Sequence, residues 1–141
     1  MPLADRTLQA SAGDLLAKFS KLGWQSVECK VEQKFTGNLF VETWSNREWG
    51  KPGWLFSSSA DILMVYFLDS DRLICVGLPS LRQWLLKKDN PAIDRYRSVQ
   101  INKPQRNDTH GVLVSIADVR AEVLECWWEC SPAKIMEATH G

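Results

Sequence analysis

Two glutamates and a lysine raise the first chemical question. Glu28, Lys30, Glu32 and Lys34 fall on one side of an alternating run, with Val27, Cys29 and Val31 on the other. That is the period-two pattern of a strand with one face buried. Thr36-Gly37-Asn38 is turn chemistry and 39–43 resumes β character, so the spacing predicts a hairpin from a strand over 24–35. With Gly37 at the centre of the turn, Glu32 stands opposite Glu42; a two-residue turn leaves them diagonal neighbours. Like charges about 4.5–5.5 Å apart across a strand pair are destabilising, unless a cation such as Mg²⁺ or Mn²⁺ lies between them. Lys34 would project on the same face, opposite Phe40. Two carboxylates to hold an ion, and a lysine to stabilise charge or orient the attacking water, are what metal-assisted phosphodiester hydrolysis needs. The same stripe also suits a solvated strand face with paired charges, and the spacing leaves both readings open.

The elements that would position these residues follow from periodicity. Ala12, Leu15, Leu16, Phe19 and Leu22 recur at helical spacing ahead of Gly23, predicting a helix over 10–22. Residues 45–53 read as a loop and 57–61 as a short helical or turn element. The runs 62–68 and 72–76 lack polar alternation, which predicts central strands covered on both faces. A helix over 79–88 carries Leu81, Trp84 and Leu85 as its apolar stripe. The polar stretch 90–109 reads as a loop, 111–116 as a strand and 117–128 as a closing helix. The expectation is an α/β fold: one central mixed β-sheet with flanking helices in a single domain, its core over 10–128 and a tail from 129.

Composition narrows the class. Of 141 residues, 45% are apolar and 24% charged, which excludes a disordered, collagen-like or coiled-coil chain. Lys plus Arg and Asp plus Glu both number 17, so any basic surface must be local. The longest apolar run is too short to span a bilayer. The first ten residues show no secretory pattern, and the four cysteines are then expected to be reduced thiols in a cytoplasmic protein. Cys126 and Cys130 are four apart, but His110 and His140 are the only histidines, a poor ligand supply for zinc. No P-loop, zincin, serine-hydrolase or dinucleotide fingerprint occurs.

One resemblance stands out. Thr36-Gly37-Asn38-Leu39-Phe40-Val41-Glu42, then Gly50-Lys51-Pro52-Gly53, then Ser59-Ala60-Asp61 opening an apolar strand, resembles a group of phage and bacterial proteins with a PD-(D/E)XK nuclease-like core. The resemblance runs from about residue 30 to 84. It implies a restriction-endonuclease-like fold in which acids on a central hairpin bind Mg²⁺ or Mn²⁺ and cleave DNA. On that reading Glu32 (or Glu28), Glu42 and Asp61 hold the metal and Lys34 assists the water. Two departures bear on activity: the first acid is Glu where Asp is usual, and Trp44 stands where a lysine is expected two residues after the second acid. Asp61 equally suits a turn cap.

Trp49 and Lys51, with Arg95 and Arg97 beside Tyr96, are the candidate nucleic-acid contacts through stacking and phosphate pairing. Arg97 and its neighbours also suit a solvated loop, and Trp49 suits packing of its loop better than stacking, since large aromatics mostly go to cores. Two functions follow: a metal-dependent DNA endonuclease or resolvase, or a catalytically inactive nuclease-fold protein that binds nucleic acid or a host protein. Adjacent Trp127 and Trp128 on a helix would favour a homodimer interface.

Overall fold

The computed structural model describes residues 15–19, 23–102 and 107–135. They form an α/β domain whose strands fall into two sheets rather than the one expected, each sheet within its own compact unit.

The first unit draws on residues up to Thr36, on 60–79 and on the chain from Glu125. It contains β1 (Leu15–Phe19), β2 (Gly23–Glu32), β5 (Ile62–Phe67), β6 (Arg72–Gly77) and β9 (Trp127–Cys130), in the spatial order β1-β2-β5-β6-β9. β2 runs parallel to β5, with Val27 opposite Ile62 and Glu32 opposite Phe67, and every other pairing is antiparallel. β5 and β6 are interior strands, as their unbroken apolar sequence predicts. Leu63, Val65, Phe67, Ile74 and Val76 are buried on one face. On the other face Val27, Ile62 and Cys75 form a buried cluster flanked by Met64 and Leu73.

The second unit comprises 37–59 and 80–124. Its antiparallel sheet has the order β4-β3-β8-β7, from β3 (Asn38–Asn46), β4 (Lys51–Pro52), β7 (Arg97–Asn102) and β8 (Asp108–Ser115). Helix α1 (Trp54–Ser57) follows β4, and α2 (Leu78–Leu85) enters this unit from the first. A 3₁₀ turn (Ala92–Arg95) precedes β7, and α3 (Ile116–Glu122) follows β8. Arg82 of α2 donates to the carbonyls of Leu55 (2.6 Å) and Ser58 (2.6 Å). Ser115 caps α3 through its hydroxyl. Among the described residues no helix is long and apolar enough to cross a membrane.

Several expectations are corrected. Residues 15–19 form a strand; the remainder of the expected 10–22 helix lies outside the described residues. Residues 15–19 pair antiparallel with β2, from Leu15–Val27 to Phe19–Gly23. The 90–109 loop contains β7, whose Val99 and Ile101 alternate with polar neighbours. The closing helix ends at Glu122, and 127–130 form an edge strand instead. Trp127 and Trp128 therefore point to opposite faces of a sheet edge, not around a helix.

Candidate functional site

The hairpin expected over 24–43 does not form. β2 already has β1 on one edge and β5 on the other, and β3 has β4 and β8, so neither strand has an edge left for its partner. Glu32 stands opposite Phe67, while Glu42 stands opposite Gly111. β2 ends at Glu32. Lys34 follows in an exposed connection rather than on a strand face. That connection is fixed by Asp69, whose carboxylate accepts the Phe35 N–H at 3.0 Å, and by the Phe35 ring set edge-on to Phe67.

Glu28, Lys30 and Glu32 are half-buried, because they share a face with buried Leu63, Val65 and Phe67. On the other side Val27 is buried, as the alternation predicts, while Cys29 and Val31 are exposed. Glu28 pairs with Lys30 at 3.3 Å. Asp61 acts as a cross-strand clamp: its carboxylate accepts from the Ser26 N–H (3.0 Å) and hydroxyl (3.1 Å), and its own N–H donates to the Ser26 carbonyl (3.0 Å). Of its two readings, this bonding is that of a structural turn residue.

Glu42 is half-buried on β3, and among the described residues no hydrogen bond or ion pair reaches its carboxylate. Gly53 is pressed against it: a Cβ there would collide with the Glu42 carbonyl and Cγ. The Gly53 N–H donates to the Thr43 carbonyl at 2.8 Å. This close approach is a physical reason for glycine in the Gly50-Lys51-Pro52-Gly53 segment.

The expected 45–53 loop is a tight turn joining β3 to β4. Asn46 faces Lys51 across it, and the Gly50 N–H closes it on the Arg47 carbonyl at 3.1 Å. Gly50 has φ +70°, a left-handed conformation that glycine adopts without strain. At the tip, the Trp49 side chain is 72% exposed, while Asn46 at the base is 6% exposed and accepts the Trp49 N–H. The Lys51 ammonium lies 5.7 Å from the Trp49 ring centroid, within cation–π range. Arg47 and Lys51 are exposed beside it, with Glu48 the one acid of the turn.

A polar network anchors this turn. Asp108, the first residue of β8, accepts the Arg47 N–H on its backbone carbonyl at 2.8 Å. Its carboxylate accepts from Gln100 Nε2 at 2.7 Å and from His110 Nε2 at 2.8 Å. A carboxylate can only accept here, so Nε2 of His110 carries the hydrogen. Partial burial pushes the Asp108 pKa up. The bonds from His110 and Gln100, with the histidine's charge and the Glu48 backbone adding to them, outweigh that push and hold it below the usual carboxylate value. Sequence reasoning missed this network. Its signal was Asp108 and His110 two residues apart, hence on one face of a strand.

Arg95 and Arg97 do not join the Trp49 turn in one patch. Lys51 and Arg97 lie on opposite edges of the four-stranded sheet, about 14 Å apart across it and roughly 20 Å along it from the register of Phe40 to Asn46. The Arg95 guanidinium instead lies 5.9 Å from the Trp84 ring, which meets Tyr96 edge-on. The Tyr96 hydroxyl donates to Asp118 at 2.7 Å, and burial with that bond pushes its pKa up to about 12.

Among the described residues no group of three or more His, Cys, Asp or Glu side chains is arranged to hold a metal ion. Comparison with protein-family models, with curated proteins and with solved structures returns no match to this chain.

Proposed function

We propose that this chain binds single-stranded DNA, with Trp49 as a base-stacking platform and Arg47 and Lys51 on the neighbouring phosphates. The observation that carries the reading is the Trp49 ring, the most exposed large apolar side chain among the described residues, set on a turn whose backbone is tied down. An apolar ring of this size in water is unfavourable, and a flat aromatic beside two cations suits a base and its backbone. Stacking on such a ring contributes about 1–3 kcal/mol per base. Two phosphate contacts imply a slope of log K against log salt of about −1.4 for a single strand.

Anisotropy of a labelled oligo-dT, titrated at several salt concentrations, tests the reading. Trp49→Ala should weaken binding by roughly 5- to 100-fold, and Lys51→Ala should flatten the salt dependence. Affinity indifferent to Trp49→Ala refutes the platform.

A second reading, metal-dependent DNA cleavage on a restriction-endonuclease-like core, draws support from the half-buried Glu42 carboxylate with no polar partner among the described residues. Nicking of supercoiled DNA in Mg²⁺ or Mn²⁺ that Glu42→Gln abolishes would establish it. Absence of cleavage by the folded wild type would dismiss it.

A further inference from the structure

We propose that Asn46 is a positioning residue for the Trp49 platform: its buried carboxamide oxygen holds the Trp49 N–H and so fixes where the indole stands. This rests on the reading of Trp49 as a base platform and extends it to a residue that touches no DNA.

The turn's other bonds fix its ends. Residues 47–50 are closed by the bond from the Gly50 N–H to the Arg47 carbonyl, and the Arg47 N–H is tied to the Asp108 carbonyl. β4 is only two residues long, so its ladder contributes little at the tip. Trp49 itself is reached by Asn46, whose Oδ1 lies 3.3 Å from the Trp49 nitrogen. A backbone N–H can only donate, so the carboxamide must turn its oxygen toward it. Asn46 is only 6% exposed, where asparagine is mostly a surface residue. That burial limits the water that could replace its oxygen at this long bond. The backbone just before it is fastened too. The Ser45 carbonyl accepts the hydroxyl of Thr109, a buried residue of the interior strand β8, at 2.9 Å. The ring is thereby referred, through Asn46 and Ser45, to the sheet interior rather than to its own short hairpin. A ring already held in its bound position loses less entropy when a base stacks on it.

The consequence separates two contributions to binding. Arg47 and Lys51 are placed by bonds that the Asn46 side chain does not make, Arg47 through the Asp108 carbonyl and Lys51 through the β3–β4 ladder. Removing the carboxamide should loosen Trp49 and weaken stacking while both cations stay in place. The salt slope counts phosphate contacts, so it should stay as in the wild type while the affinity extrapolated to 1 M salt falls. A mere loss of folding would lower both together.

The test uses the full chain labelled with 5-fluorotryptophan, with the Trp49 ¹⁹F resonance assigned by its disappearance in Trp49→Phe. In protein without DNA, Asn46→Leu, which fills the buried site but offers no acceptor, should shift and narrow that resonance relative to those of the other tryptophans. Asn46→Asp, which keeps an acceptor at the same reach, should restore it. In oligo-dT titrations Asn46→Leu should bind roughly three- to tenfold more weakly, a partial loss of the stacking contribution, with the slope unchanged. Asn46→Asp should regain the affinity extrapolated to 1 M salt, where its added charge is screened. An unchanged Trp49 resonance in Asn46→Leu overturns the positioning role whatever the DNA result, as does an Asn46→Asp resonance left where Asn46→Leu puts it. A flattened slope with intact affinity at high salt overturns it too. Should Asn46→Leu not fold, hydrogen exchange of the Trp49 amide in the wild type decides: protection supports the role, and exchange at the rate of an unstructured peptide overturns it. Failure of the wild type to bind oligo-dT overturns the underlying reading instead, and the ¹⁹F comparison still decides what Asn46 does to the ring.

Discussion

Gly53→Ala is the substitution whose cost can be worked most directly from the structure. The Gly53 backbone, with φ −77° and ψ 175°, is open to any residue, so alanine meets no conformational penalty. The penalty is steric. Its Cβ would lie closer than 3.0 Å to the Glu42 carbonyl oxygen, carbonyl carbon and Cγ. Two of these atoms are backbone in a sheet strand and cannot swing aside. The 52–54 segment must therefore retreat, and the 2.8 Å bond from the Gly53 N–H to the Thr43 carbonyl is stretched or lost. Overpacking of this kind costs about 1–3 kcal/mol and the hydrogen bond about 1 kcal/mol. The expected loss of about 2–4 kcal/mol corresponds to a melting temperature lower by roughly 6–15 °C for a chain of this length. Thermal unfolding followed by circular dichroism measures it. A double-mutant cycle with Glu42→Ala identifies the clashing atoms: removing Cγ should recover only a minor part of the loss, because the carbonyl remains. A Gly53→Ala protein melting within about 2 °C of the wild type, or one fully restored by Glu42→Ala, would refute the reasoning.

Other predictions follow from the same geometry. Asp61→Ala should lower the melting temperature by loss of the Ser26 clamp while leaving oligo-dT affinity unchanged, as calorimetry and anisotropy can show side by side. Asp108 has a pKa held below its unfolded value. Its contribution to stability is present above the ordinary carboxylate pKa and is lost as pH falls through the depressed one. The stability gap between wild type and Asp108→Asn should accordingly be widest at neutral pH and close in acid denaturation followed downward from about pH 4. Cys75 is buried and its thiol pKa is pushed up to about 12 by that burial, with Cys130 and Cys29 nearby adding to the rise, whereas Cys29 is exposed. Iodoacetamide at pH 8 should therefore label Cys29 in the native protein well before Cys75, read by peptide mass mapping. Millimolar Mg²⁺ or Mn²⁺ should leave the melting temperature unmoved, because β2 and β3 are not strand partners; stabilisation of about 2.7 kcal/mol, as for a site at 100-fold excess over Kd, would point to a metal site after all.

What the sequence discloses depends on whether a residue's environment is local. β5 and β6 are legible because Ile62–Phe67 and Arg72–Gly77 lack polar alternation, and such runs suit only covered strands. α2 is legible from Leu81 and Leu85 behind a proline. The pairing of β2 was not legible. Its alternation and the following Thr36-Gly37-Asn38 look like half of a hairpin, yet its partner on that side is β5, about thirty-five residues downstream from Val27 to Ile62. Nothing in a strand's own residues names a distant parallel neighbour. Misplacing that neighbour also hid the partial burial of Glu28, Lys30 and Glu32, which sit beside buried Leu63, Val65 and Phe67. The bonds of Asp108 to His110 and Gln100 were not legible, because the polar stretch 90–109 hides the strand alternation of Val99 and Ile101 that sets Gln100 beside β8.

The position of β9 at the edge of the five-stranded sheet bears on how the chain is made. β6 is synthesised some fifty residues before Trp127–Cys130 arrives to cover its outer edge through the pairs from Val76–Trp127 to Leu73–Cys130 and the Arg72–Glu129 ion pair at 3.0 Å. Until then a growing chain presents Arg72–Gly77, one of its most apolar strands, with unpaired backbone groups along one side. Such an edge recruits other strands, including those of neighbouring nascent chains. A ribosome pausing between codons 78 and 126 would prolong that exposure, and chains released before residue 127 should accumulate in aggregates rather than as soluble fragments.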